Sequence, residues 1–133
     1  MTRILIADDD ALIGEVVALR LQEIGYEVTL VDNGDAVLEA TRRTRPDLII
    51  LDNLMPGRKG TEVLTDLKKC NLTAAIPAIM LSAQTTPGCI QKAIRAGASG
   101  YSTKPFDPKK LLAYIADFIE PPAEQTVSHA GSF

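Results

Sequence analysis

The sequence predicts an α/β fold, a doubly wound five-stranded parallel sheet with helices on both faces, and three observations carry that expectation. Short apolar runs alternate with segments of helical apolar spacing along most of the chain, the pattern of buried parallel strands joined by crossover helices. Glycine, proline or Asn-Gly punctuates most of the boundaries between them. The length of 133 residues, 46% of them apolar, fills one core of ordinary size and is too little for two.

Residues 3–7 read as the first strand, after which Leu12, Ile13, Val16, Val17 and Ile24 recur at helical spacing as far as Gly25, the expected stop. Residues 27–31 form the second strand. The Asn33-Gly34 break leads into a helix carrying Val37, Leu38 and Thr41, which ends where the residue before Pro46 is pushed out of helical geometry. Residues 48–51 are the third strand, and a loop with Pro56, Gly57 and Gly60 precedes a helix over about residues 62–70. Pro77 opens a fourth strand at 78–81, Thr86-Pro87-Gly88 interrupts, and a short helix over 90–96 stops at Gly97. Residues 100–102 are a brief fifth strand. Pro108 starts the last helix, whose apolar positions are Leu111, Leu112, Ile115, Phe118 and Ile119. From Glu120 the composition turns polar and begins with Pro121-Pro122, so the expected division is a domain at 1–119 and a tail or linker at 120–133.

Charge and composition exclude several function classes. Lys and Arg total 14 against 17 Asp and Glu, a net −3, so no global positive field draws nucleic acid or an anionic membrane. Neither direct nucleic-acid binding nor membrane association is expected. Apolar runs such as 48–51 and 79–81 fall far short of the roughly 20 residues of a bilayer span, and the apolar stretch after Arg3 is cut short by three aspartates. A cytoplasmic protein is expected. Cys70 and Cys89 lack C-x-x-C spacing and His129 is the single histidine, so neither a disulfide framework nor a zinc site is indicated.

In open parallel sheets, functional groups gather at the carboxyl ends of the strands. There the sequence puts Asp8, Asp9 and Asp10 after the first strand, Asp52 after the third, Ser82 at the end of the fourth and Lys104 after the fifth. Taken singly, each has an ordinary reading as a helix cap, turn residue or solvated charge, and Asp10 is assigned to capping. Taken together, carboxylates converging on one cleft repel unless a cation relieves them, and Mg²⁺ suits such a site. Lys104 and Ser82 would then cradle a phosphoryl group. Asp52 is left as the nucleophile that forms an acyl phosphate.

The motifs ILIADDD at 4–10, DLIILDNLMPGRKG at 47–60, IPAIMLSA at 76–83 and AGASGYSTKPF at 96–106 resemble the receiver domain of two-component response regulators, chemotaxis-regulator-like in type. The resemblance runs from about residue 2 to 119 and implies a flavodoxin-like strand order 2-1-3-4-5. It implies that Asp52 accepts a phosphoryl group from a histidine kinase or histidine phosphotransfer protein. Asp8, Asp9, Asp52 and the Leu54 backbone carbonyl would hold Mg²⁺, and Ser82 and Lys104 would contact the phosphoryl group. Tyr101 resembles the family's switch aromatic, paired with Ser82, so that phosphorylation would alter the fourth helix, fifth strand and fifth helix and thereby the binding of a downstream partner. Such a chain is a signalling domain, not an enzyme beyond its own phosphoryl transfer and slow dephosphorylation. It is expected as a monomer or a phosphorylation-dependent dimer.

Some positions depart from the family pattern. Arg58-Lys59 stands where many receivers carry Asp or another polar residue, and is expected as solvated loop charge. Pro87-Gly88 is expected to shorten the fourth helix at its start. Leu54 and Gln84 occupy positions that in this family influence phosphoryl hydrolysis, and an apolar Leu54 cannot position water. Rival readings are weaker. A haloacid-dehalogenase-type phosphohydrolase needs a second acid at position 54, an FMN carrier would set its phosphate against Asp8–Asp10, and a pseudo-receiver would not fill every chemical position. A receiver that is part of a longer regulator or hybrid histidine kinase stays open.

Overall fold

Strand β1 (Arg3–Ala7) pairs in parallel with β2 (Glu27–Val31) on one side and β3 (Leu48–Asp52) on the other. β4 (Ala78–Ser82) pairs with β3, and β5 (Gly100–Thr103) closes the sheet in the order β2-β1-β3-β4-β5. The computed structural model describes residues 2–83, 86–104 and 107–119; the expected tail at 120–133, and Gln84, lie outside them. Three strands run one residue longer than the apolar pattern suggested, to Asp52, Ser82 and Thr103, because the parallel ladder continues under polar side chains.

The central strands carry the core on both faces by strict alternation. Ile4, Ile6, Leu48, Ile50, Ile79 and Leu81 face one cluster, with Val17, Ala18 and Leu21 of α1 (Ala11–Ile24) and Leu111 and Ile115 of α5 (Pro108–Ala116). Leu5, Ala7, Ile49, Leu51, Ala78 and Met80 face the other, with buried residues of α2 (Asp35–Thr44), α3 (Gly60–Lys69) and α4 (Pro87–Ala96). Each large side chain sealed there contributes about 2 kcal/mol by leaving water.

Several element details differ from expectation. On α1 the inward positions are Val17, Ala18 and Leu21, while Leu12 and Val16 are 71% and 47% exposed. With apolar residues on more than one face of the helix, spacing alone did not tell which face is buried. Helix α3 begins at Gly60 because the Glu62 carboxylate accepts the Lys59 backbone N–H at 3.1 Å, half of a capping box. Helix α4 includes Pro87 and Gly88: the Thr86 hydroxyl accepts the Cys89 N–H at 3.4 Å, and proline needs no donor in a first turn. It is not shortened at its start. Phe118 and Ile119 lie in the turn beyond α5, still packed on the α1 and α5 side. Gly25 stops α1 at φ 115°, in the left-handed region, and Arg45 ends α2 at φ 48°. Among the described residues no helix is long and apolar enough to cross a membrane.

Candidate functional site

Four strands deliver polar side chains to the carboxyl edge of the sheet. Asp8 follows β1 directly, and its Oδ1 accepts the Asp10 N–H at 2.9 Å. The Asp10 carboxylate in turn caps α1 by accepting the Ile13 N–H at 3.2 Å. Asp52 is the last residue of β3, with Oδ1 accepting the Leu54 N–H at 3.4 Å. Ser82, the last residue of β4, is buried, and its carbonyl accepts the Lys104 N–H at 2.8 Å, tying the end of β4 to the turn after β5.

Lys104 spans the cleft. Its Nζ donates to Asp8 Oδ2 at 2.8 Å and to Asp52 Oδ2 at 3.1 Å. Those two carboxylates are buried and Asp9 is exposed, yet ligand oxygens of Asp8, Asp9 and Asp52 all lie within 4.8 Å of one another. A single ammonium thus serves two buried carboxylates. Burial is the largest influence on Asp52 and pushes its carboxyl up to about 6; Lys104 and the Leu54 N–H hold it lower, and the Asp8 charge adds to the rise. Burial alone would lower the Lys104 ammonium, but its hydrogen bonds and charge contacts with Asp8 and Asp52 outweigh that and raise it.

The remaining expected positions fall around this centre. Leu54 is 52% exposed at the mouth of the β3–α3 loop. Tyr101 on β5 is half-buried against the cluster beneath α2, α3 and α4, and its N–H donates to the Tyr114 hydroxyl at 3.1 Å. Arg58, expected as a solvated loop charge, stays partly exposed but is also paired: its guanidinium meets Asp66 Oδ2 at 2.6 Å and donates to the Glu62 carbonyl at 3.4 Å. Lys59 is exposed, as expected. The sequence reading missed the close approach at Gly60, where a Cβ would stand 2.5 Å from the Asp52 carbonyl oxygen. It also missed Tyr114, whose hydroxyl serves β5. The glycine itself was the available signal for the first; nothing local marks the second.

Residues 4–116 match the response regulator receiver domain family. The chain belongs to that family. This receiver domain is 35% identical over 113 residues to the DNA-binding response regulator MtrA of Mycobacterium tuberculosis, covering 85% of this chain and 48% of MtrA. It is 40% identical over 112 residues to the phosphate regulon transcriptional regulatory protein PhoB of Pseudomonas aeruginosa, covering 84% of this chain and 49% of PhoB. The chemotaxis response regulator CheY4 of Vibrio cholerae superposes with a TM-score of 0.85 at 32% identity, covering 90% of this chain and 99% of that one. The receiver domain spans about half the length of the curated relatives it matches.

Proposed function

We propose that this receiver domain takes a phosphoryl group onto Asp52 from a phosphohistidine donor, a histidine kinase or histidine phosphotransfer protein. The observation that carries the reading is the Lys104 ammonium shared by two buried carboxylates from separate strands at the carboxyl edge of the sheet. An Asp52 oxygen attacks phosphorus, the P–N bond breaks, and the imidazole leaves with the bonding pair. In this reading Lys104 neutralises one phosphoryl oxygen and the Ser82 hydroxyl, on the neighbouring strand end, donates to another.

The donor set fits a divalent ion of the Mg²⁺ class: hard carboxylate oxygens within 4.8 Å, two of them buried with one ammonium between them. Asp8, Asp9, Asp52 and the Leu54 carbonyl would hold it. When bound, it supplies positive charge to the oxygens of the transferring group.

Drawing the Ser82 hydroxyl toward a phosphoryl group frees space for the Tyr101 ring, which would change the surface of α4, β5 and α5 read by a downstream protein partner. Hydrolysis of the acyl phosphate is slow in this reading, since an apolar Leu54 cannot hold the attacking water. The setting is cytoplasmic, and the chain is a monomer or dimerises on phosphorylation. Its span of half of MtrA and PhoB favours a second reading of context, that it is the receiver portion of a longer regulator, with a hybrid kinase as the variant. Nucleic-acid binding would then lie outside this chain.

Incubation with Mg²⁺ and acetyl phosphate, followed by intact-mass measurement, tests the central step. Wild type should gain one phosphoryl group and Asp52→Ala none; an equal adduct on both would remove Asp52 from the role.

A further inference from the structure

A cavity of about 300 Å³ lies at the amino edge of the sheet, between the end of α2 and the connection from α3 to β4. Its lining residues Arg45 and Pro46 lead into β3 and Ile76 leads into β4, whereas Asp52 and Ser82 end those strands on the opposite edge. The cavity is therefore separate from the phosphoacceptor cleft. Pro46, Leu72 and Ile76 give it apolar walls. Thr41 and Thr73 complete the walls with hydroxyls already committed, donating to the Val37 carbonyl at 2.7 Å and to the Leu67 carbonyl at 2.5 Å. The remaining polar lining is Arg42 and Arg45. Both are exposed, and among the described residues neither has a carboxylate within 4.0 Å. Arg43, Lys68 and Lys69 add positive charge in the last turns of the same two helices. The chain carries no acid between Asp66 and Asp107, and Asp47, just beyond Pro46, already accepts the Arg3 N–H at 2.8 Å.

Neutralising the end of α2 accounts for a cation at position 42. It does not account for Arg45, the one described residue other than glycine at positive φ, 48°, where glycine is the relaxed choice. We propose that this cavity is a second ligand site, taking a small molecule with an oxyanion head on a flat apolar body, an organic phosphate or an aromatic carboxylate. Guanidinium forks match the paired oxygens of either head, and the walls of Pro46, Leu72 and Ile76 take the body. The volume is at the low end for ligand pockets and holds one or two fused rings. A bare anion leaves the apolar walls wet, and a neutral molecule finds the threonine donors already spent. The site needs neither a metal ion nor phosphorylation of Asp52, so it stands apart from the phosphoacceptor reading.

The test titrates the whole chain, in buffer with chelator, with 1-naphthyl phosphate, 1-naphthoate and inorganic phosphate, and follows backbone amide chemical shifts. Shifts should centre on residues 41–46 and 72–76, and whichever naphthyl compound binds tighter identifies the head the site prefers. Inorganic phosphate should bind at least about tenfold more weakly than that compound. Arg42→Gln/Arg45→Gln should weaken it about tenfold or more, and Arg43→Gln, outside the lining, by less than about twofold. Arg45→Gly separates binding from folding: it relaxes the backbone, so the thermal midpoint should hold or rise while affinity falls. No shift at these residues up to about 10 mM of either naphthyl compound would overturn the proposal. So would undiminished binding by the double variant, an equal loss in Arg43→Gln, or inorganic phosphate binding as tightly as the naphthyl compounds.

Discussion

Asp52 shares the Lys104 ammonium with Asp8, and burial outweighs that shared partner in setting its affinity for a proton. Burial raises the folded carboxyl to about 6 from an ordinary 3.8, so between those values the folded state binds more protons than the unfolded one. Stability then falls as pH rises from about 4 to about 6 and is level above. Replacing Asp52 by Asn removes this dependence. Urea unfolding in metal-free buffer should show Asp52→Asn gaining on wild type by something of order 2 kcal/mol between pH 4 and pH 7.5; a constant difference would contradict the desolvation. Leu54, half in solvent two residues away, gives a kinetic prediction. Leu54→Asn supplies a side chain able to hold water near the acyl phosphate, and its phosphoryl half-life, followed by intact mass after donor removal, should be shorter than that of wild type. Asp8, Asp9, Asp52 and Lys104 were legible as residues because acids and a lysine follow apolar runs. That Asp8 and Asp52 would share one ammonium was not legible, since the pairs are 96 and 52 residues apart in sequence.

Helix and loop boundaries were legible where capping chemistry is local. Asp10 and Gly25 frame α1 as read, and Gly97 stops α4. Pro87-Gly88 misled because both residues weaken a helix interior, whereas a first turn tolerates them when Thr86 caps it. The β3–α3 loop shows how an element boundary reaches the site. Gly60 begins α3, and its N–H donates to the Asn53 carbonyl at 2.8 Å, which draws the helix start against the end of β3. A methyl there would press on the Asp52 carbonyl at 2.5 Å and the Asn53 Cα at 2.9 Å, both backbone atoms with little room to yield. Gly60→Ala should cost about 1 to 3 kcal/mol in urea unfolding and slow adduct formation from acetyl phosphate by displacing Asp52. Full activity with full stability would show the loop to be more compliant than its geometry indicates.

At the scale of the molecule, the proposed ion site links Mg²⁺ to folding, because three acids from two strand ends come within 4.8 Å only in the folded chain. Saturating Mg²⁺ should raise the unfolding free energy of wild type by about 2.7 kcal/mol at a hundredfold excess over Kd. Asp9→Asn, an exposed change, should lose most of that gain while leaving the metal-free stability nearly unaltered; an equal Mg²⁺ response in both would place the ion elsewhere. The sequence by itself determined the strand and helix alternation and the residue types at the strand ends, because both are written in local spacing: buried parallel strands are short and apolar, and polar groups mark where they stop. The tertiary structure alone decided which face of α1 is buried, that Arg58 folds back onto Asp66, that Tyr114 serves the β5 backbone, and that an arginine-lined cavity opens at the amino edge of the sheet. Each of these depends on the distance between elements remote in sequence, and local spacing cannot encode such a distance before the sheet has ordered its strands.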